Sequence, residues 1–69
     1  MPSLPKYQNR IAAWRTYRGF SQAELARRIG VNEATIRAWE STRWTPTATH
    51  LAMLCSVLRC RGRDLFPDE

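Results

Sequence analysis

Two short apolar stripes meeting at one glycine, between Gln22 and Trp39, limit this chain more than any other feature. The run Gln22-Ala-Glu-Leu-Ala-Arg-Arg-Ile-Gly-Val-Asn-Glu-Ala-Thr-Ile-Arg-Ala-Trp39 reads as two helices joined by a tight turn. Leu25, Ala26, Ile29, Val31, Ile36 and Trp39 fall on inward positions, and polar residues fill the spaces between them. Helices that cross so closely need a small residue at the contact, which Ala26 supplies. The first helix also needs a stop that tolerates positive φ, which Gly30 supplies. This spacing is that of a helix-turn-helix, a unit whose second helix is shaped to lie in the major groove of DNA.

The rest of the chain supplies three more helices and no strand. Tyr7, Ile11 and Trp14 recur at i, i+4 and i+7, which predicts a first helix from about Gln8 to Tyr17, ended by Gly19. Ser21 with Glu24 forms a capping box at the start of the second helix. Asn32 is the expected N-cap of the third, from Glu33 to about Ser41. The stretch Thr42-Arg-Trp-Thr-Pro46 is a loop, and Thr47 then caps a fourth helix with Leu51, Leu54, Cys55 and Leu58 as its stripe. A last short helix, about Gly62 to Phe66, returns Leu65 and Phe66 to the core. The expected organisation is an extended arm over residues 1–8, one all-α, compact five-helix domain over 9–66, and a short tail over 67–69.

Over about residues 9 to 66 the chain resembles the phage-repressor and Cro-like (XRE-type) helix-turn-helix family. The resemblance rests on Arg15, Gly19, Ser21 to Ala26, Gly30-Val31, Ile36, Trp39-Glu40, Pro46, Leu51, Leu54, Leu58 and Leu65-Phe66. It implies a five-helix, sequence-specific DNA-binding domain that acts as a dimer on a two-fold operator. It also implies an ion pair between Arg15 and Glu40. Two positions depart from the family pattern: Thr42 and Arg59 stand where glycine is usual at the ends of the third and fourth helices. A β-branched residue at positive φ is costly, so Thr42 predicts a loop of different shape. Arg59, if the fourth helix ends as in the family, must adopt the left-handed conformation itself.

Charge and size agree with a nucleic-acid partner. Eleven Lys and Arg against six Asp and Glu give a net charge of +5 and a pI near 10.3 on 69 residues. So basic a small domain favours a polyanion. The chain has no apolar run of the roughly 18 residues that a membrane helix needs. Its first six residues lack the apolar stretch of a signal peptide, so a cytoplasmic protein is expected. Cys55 and Cys60 lie roughly 140° apart on a continued helix and form no metal site; Cys55 reads as core filler. His50 reads as a solvated surface residue. No catalytic constellation, cofactor motif or metal cluster is evident, so an enzyme is not expected.

The candidate base-contacting positions on the outer face of the third helix are Asn32, Glu33, Ala34, Arg37 and Ala38. Arg37 can donate to guanine O6 and N7 at once, Glu33 can accept from cytosine N4, and the alanines can meet thymine methyl groups. The plainer alternative for Glu33 and Arg37 is an i, i+4 ion pair. Candidate phosphate contacts are Gln22, at a helix N-terminus suited to an anion, with Thr35, Arg43, Lys6 and Arg10. Arg27 and Arg28 read equally well as solvated charges. Trp44 is expected to cover the core or a dimer contact, and Leu65, Phe66 and the fourth helix are the expected dimer surface. Two rival readings remain at this level: an antitoxin or controller protein with a protein partner, and an adaptor that kept the fold without binding DNA.

Overall fold

The computed structural model describes residues 9–66. The arm over 1–8 and the tail over 67–69 lie outside the described residues, as do the candidate Lys6, the face position Tyr7 and the expected helix start at Gln8. Five helices follow in order: α1 Ile11–Tyr17, α2 Gln22–Ile29, α3 Glu33–Glu40, α4 Ala48–Leu58 and α5 Gly62–Leu65. No strand occurs among the described residues.

α1 begins three residues later than the apolar spacing predicts, for a local reason. The Asn9 side chain accepts the Ile11 N–H at 3.0 Å, and the Arg10 N–H leaves the helix to reach the Leu65 carbonyl at 2.8 Å. The entry to α1 is thereby tied to α5. α2 starts as the sequence requires: Ser21 Oγ accepts from Glu24 N–H, and the Glu24 carboxylate accepts from Ser21 N–H. Asn32 caps α3 by accepting from Thr35 N–H. Thr47 caps α4 through His50 N–H at 3.3 Å.

All four longer helices end in one way. A residue in the left-handed region is followed by an N–H that reaches back five residues, the closure of a Schellman turn. Gly19 (φ 82), Gly30 (φ 92), Thr42 (φ 64) and Arg59 (φ 57) are the left-handed residues. The returning bonds run from Phe20 to Arg15, Val31 to Ala26, Arg43 to Ala38 and Cys60 to Cys55, each about 3.0 Å. The altered loop expected from Thr42 is therefore absent. Thr42 accepts the strained conformation, and its hydroxyl donates to the Ser41 carbonyl.

The core holds Ile11, Leu25, Ala26, Ile29, Ile36, Trp39, Leu54, Leu58 and Leu65, with Trp14, Phe20, Val31, Leu51, Cys55 and Phe66 packed around it. Three side chains lie otherwise than their sequence positions imply. Leu65 is fully buried within its own chain, so it is no dimer contact. Trp44 is 63% exposed and covers none of the core, which leaves a dimer contact as its expected role. His50 is half-buried, its ring 5.3 Å from that of Trp39, and is not a freely solvated residue.

The cysteines also lie differently than a continued helix would place them. The left-handed turn at Arg59 folds Cys60 back beside Cys55, so the roughly 140° separation of a regular helix does not apply. Burial pushes the Cys60 thiol up to about 11; Cys55 and Asp64 add to this and Arg18 opposes it. Both cysteines are free thiols.

Candidate nucleic-acid interface

α3 buries Ile36 and Trp39 and turns Asn32, Glu33, Ala34, Arg37 and Ser41 to solvent, with Ala38 half-buried between the two faces. The positions predicted for base contact thus form one outward surface. Arg37 and Glu33 lie there as an i, i+4 pair at 3.3 Å, with side chains 60% and 48% exposed. The plainer alternative is therefore present in the structure. A pair this exposed is worth only a few tenths of a kcal/mol, so it does not prevent either group from exchanging its partner for a base edge. Asn32 spends its carbonyl oxygen on Thr35, accepting from both the N–H and the hydroxyl at 2.9 Å. Its amide hydrogens have no other role in the cap and remain available to an acceptor. Thr35 is half-buried and its hydroxyl hydrogen is engaged, so an incoming phosphate would compete with Asn32 for it.

The start of α2 stands beside the end of α3 because Glu40 holds it there. Glu40 Oε2 accepts from Arg15 Nε at 2.6 Å, and Oε1 accepts from Gln22 Nε2 at 2.9 Å. Arg15 spends another donor on the Phe20 carbonyl at 2.8 Å. One carboxylate, 9% exposed, therefore joins α1, the α1–α2 turn, α2 and α3. The expected Arg15–Glu40 pair is observed, and Gln22 is found to be its third member. Asn9 adds a further tie, donating to the Trp39 carbonyl at 2.8 Å. Sequence reasoning missed Gln22 and Asn9 as positioning residues. The only available signal was that Gln22 and Glu40 sit at the two helix ends that must approach each other.

Ser21 satisfies Glu24 N–H, which leaves the N–H groups of Gln22 and Ala23 without an intrahelical acceptor. They sit at the positive end of α2, an arrangement suited to an anionic oxygen. Arg43 is exposed in the loop after α3, fixed in place by its own N–H to the Ala38 carbonyl. Arg10 lies apart from this group. Its side chain lines a shallow groove with Ala13, Trp14 and Tyr17, none of them on α2 or α3.

The same fold recurs in solved structures. The P22 c2 repressor, determined in complex with the synthetic operator 9T in the presence of Tl+, superposes with a TM-score of 0.82. It shares 27% sequence identity over 97% of this chain and 100% of its own. The N-terminal DNA-binding domain of SinR from Bacillus subtilis gives a TM-score of 0.74 and 30% identity, covering 87% of each chain. The restriction-modification controller protein C.AhdI from Aeromonas hydrophila shares the fold, with a TM-score of 0.75 and 24% identity over 86% of this chain and 89% of that one. Among curated proteins, none matches the chain in sequence. Among the described residues, no helix is long and apolar enough to cross a membrane. The Cro/C1-type HTH DNA-binding domain model matches residues 15–69, four-fifths of the sequence, and the chain belongs to that family of DNA-binding regulators.

Proposed function

We propose that this protein regulates transcription by reading a two-fold DNA operator as a homodimer, with α3 of each copy in the major groove. The observation that carries the reading is the exposed Arg37–Glu33 pair on the outer face of a helix whose inner face is locked into the core. Arg37 is the principal base reader, with Glu33 beside it. Ala34 and Ala38 let the helix sit deep, and Asn32 offers its amide at the helix start. Gln22 and the free N–H groups of α2 anchor one phosphate, and Arg43 anchors another from the far end of α3. Thr35, Arg10 and Lys6 are secondary phosphate contacts. The crystal complex of the P22 c2 repressor with an operator supports this reading, because its fold matches over nearly the whole chain.

Binding, with no catalysis, would produce the effect: a dimer over a promoter excludes polymerase, and it would do so in the cytoplasm. Successive major-groove faces lie about 34 Å apart, which sets the spacing of the two α3 helices. With Leu65 buried, the half-buried Phe66 and the surface of α4, where Met53 is exposed, remain as dimer contacts, and Trp44 offers a further exposed apolar group. Selection of binding sites from a random duplex library tests the proposal. The expected product is a two-fold motif with half-sites about 10 base pairs apart, bound by two chains in sedimentation. Enrichment of no motif would refute it.

A further inference from the structure

Three arginines, from the end of α1, from α2 and from the end of α4, line one cleft that no residue of α3 lines. It has a volume of about 330 Å³ and is walled by Arg18, Phe20, Arg28, Val57 and Arg59. No carboxylate lines it, and among the described residues none of the three arginines is in an ion pair. Like charges gathered without a counter-ion repel one another, an arrangement that a bound anion would relieve.

The guanidinium groups of Arg18 and Arg28 are held by contacts that leave donors over. Arg18 donates through Nε to the Leu58 carbonyl at 2.7 Å and through Nη2 to the Arg59 carbonyl at 3.0 Å. It also lies 5.3 Å and 4.9 Å from the ring centres of Trp14 and Tyr17, and Nη1 is left unused in these bonds. Arg28 stacks 4.7 Å over the Phe20 ring, a contact that orients the guanidinium without using its N–H groups. Arg59 has no side-chain hydrogen bond among the described residues, yet it stands in the left-handed region where glycine would be unstrained. The end of α4, braced by Arg18, tolerates that strain, and the Arg59 donors stand open on the cleft wall.

We propose that this cleft is a second anion site, separate from the DNA-reading face, that takes a small phosphate-bearing ligand. A phosphoryl group presents several acceptor oxygens to the planar donor forks of Arg18, Arg28 and Arg59, a match that arginine makes better than lysine. Phe20 and Val57 complete the wall, but the surface of the cleft is mostly polar and open to solvent, so the arginines carry the recognition. Phe20 also connects the cleft to the other face, since its carbonyl accepts from the Arg15 that binds Glu40.

Inorganic pyrophosphate, titrated into the isotope-labelled full chain at constant ionic strength and followed by amide NMR shifts, tests the site. The expected result is saturable change centred on Gly19, Phe20, Arg28 and Val57 to Cys60, with α3 unmoved. Arg59→Gly fits the backbone at that position, so the fold is retained, and affinity should fall at least about tenfold with the lost charge-assisted contact. Arg28→Ala should weaken binding similarly, while Arg63→Ala, a charge removed from α5 outside the cleft, should leave it unchanged. Shifts that never saturate, shifts confined to the start of α2, or equal affinity in Arg59→Gly and wild type would overturn the proposal.

Discussion

The first two helices and the next two end in the same turn but with different residues. α1 and α2 close through Gly19 and Gly30, whereas α3 and α4 close through Thr42 and Arg59 at nearly the same φ. A side chain in the left-handed region costs about 1 to 2 kcal/mol, so the second pair is strained and the first is not. The surroundings explain why the strain persists. The end of α3 is braced by Asn9 on the Trp39 carbonyl and by Glu40 bonded to both Arg15 and Gln22. The end of α4 is braced by Arg18 on the Leu58 and Arg59 carbonyls. Of the glycine turns, the one at Gly19 has only the local bond from Arg15 to the Phe20 carbonyl, and no described side-chain hydrogen bond reaches a carbonyl of the Gly30 turn. Turns over-determined by long-range side-chain bonds can carry a residue that the backbone alone would refuse.

Removing a brace should break the comparison most severely. Glu40→Ala strands the half-buried Arg15 and frees Gln22, and stability should fall by about 2 to 4 kcal/mol. Denaturant melts check this, and a midpoint unchanged from wild type would remove Glu40 from the account. Arg18→Ala uncovers two carbonyls at the end of α4, one of them exposed, and should cost about 1 to 2 kcal/mol. The glycine turns give a cleaner measure. A Cβ at Gly19 or Gly30 would meet no atom within 4 Å, so Gly19→Ala and Gly30→Ala should each lose about 1 kcal/mol from backbone strain alone. A loss several times larger would mean that contacts, not φ, set the choice of glycine. The smallest effects are expected from the reverse changes. Thr42→Gly and Arg59→Gly should each gain up to about 1 kcal/mol, less the entropy that glycine adds to the unfolded chain. On a domain of this size that is a rise of a few degrees in Tm.

The same comparison marks where the sequence could be read. The α2–α3 pair was legible because its signals are local: Ser21 with Glu24, Gly30, Asn32, and apolar residues at helical spacing between them. The Arg15–Glu40 pair was legible only through resemblance, since its members are 25 residues apart. Thr42 misled because the penalty for a β-branched residue is small beside the bonds that fix the end of α3. Cys60 and Arg18 were illegible, for each depends on where a left-handed turn sends the chain next, and Gln22 as third member of the Arg15–Glu40 network had only its place at a helix end to mark it. The outward set on α3 followed directly from helical periodicity once Ile36 and Trp39 were assigned inward.

The central claim is that Arg37 reads a base while Gln22 and Arg43 hold phosphates. Affinities for a panel of operator variants at two salt concentrations test it directly. Arg37→Ala should lose about 1 to 3 kcal/mol per half-site and relax preference at one symmetric base position. Gln22→Ala and Arg43→Ala should weaken binding to every variant alike, and Arg43→Ala should also flatten the salt dependence by about one unit per contact. Unchanged base preference in Arg37→Ala would contradict the account.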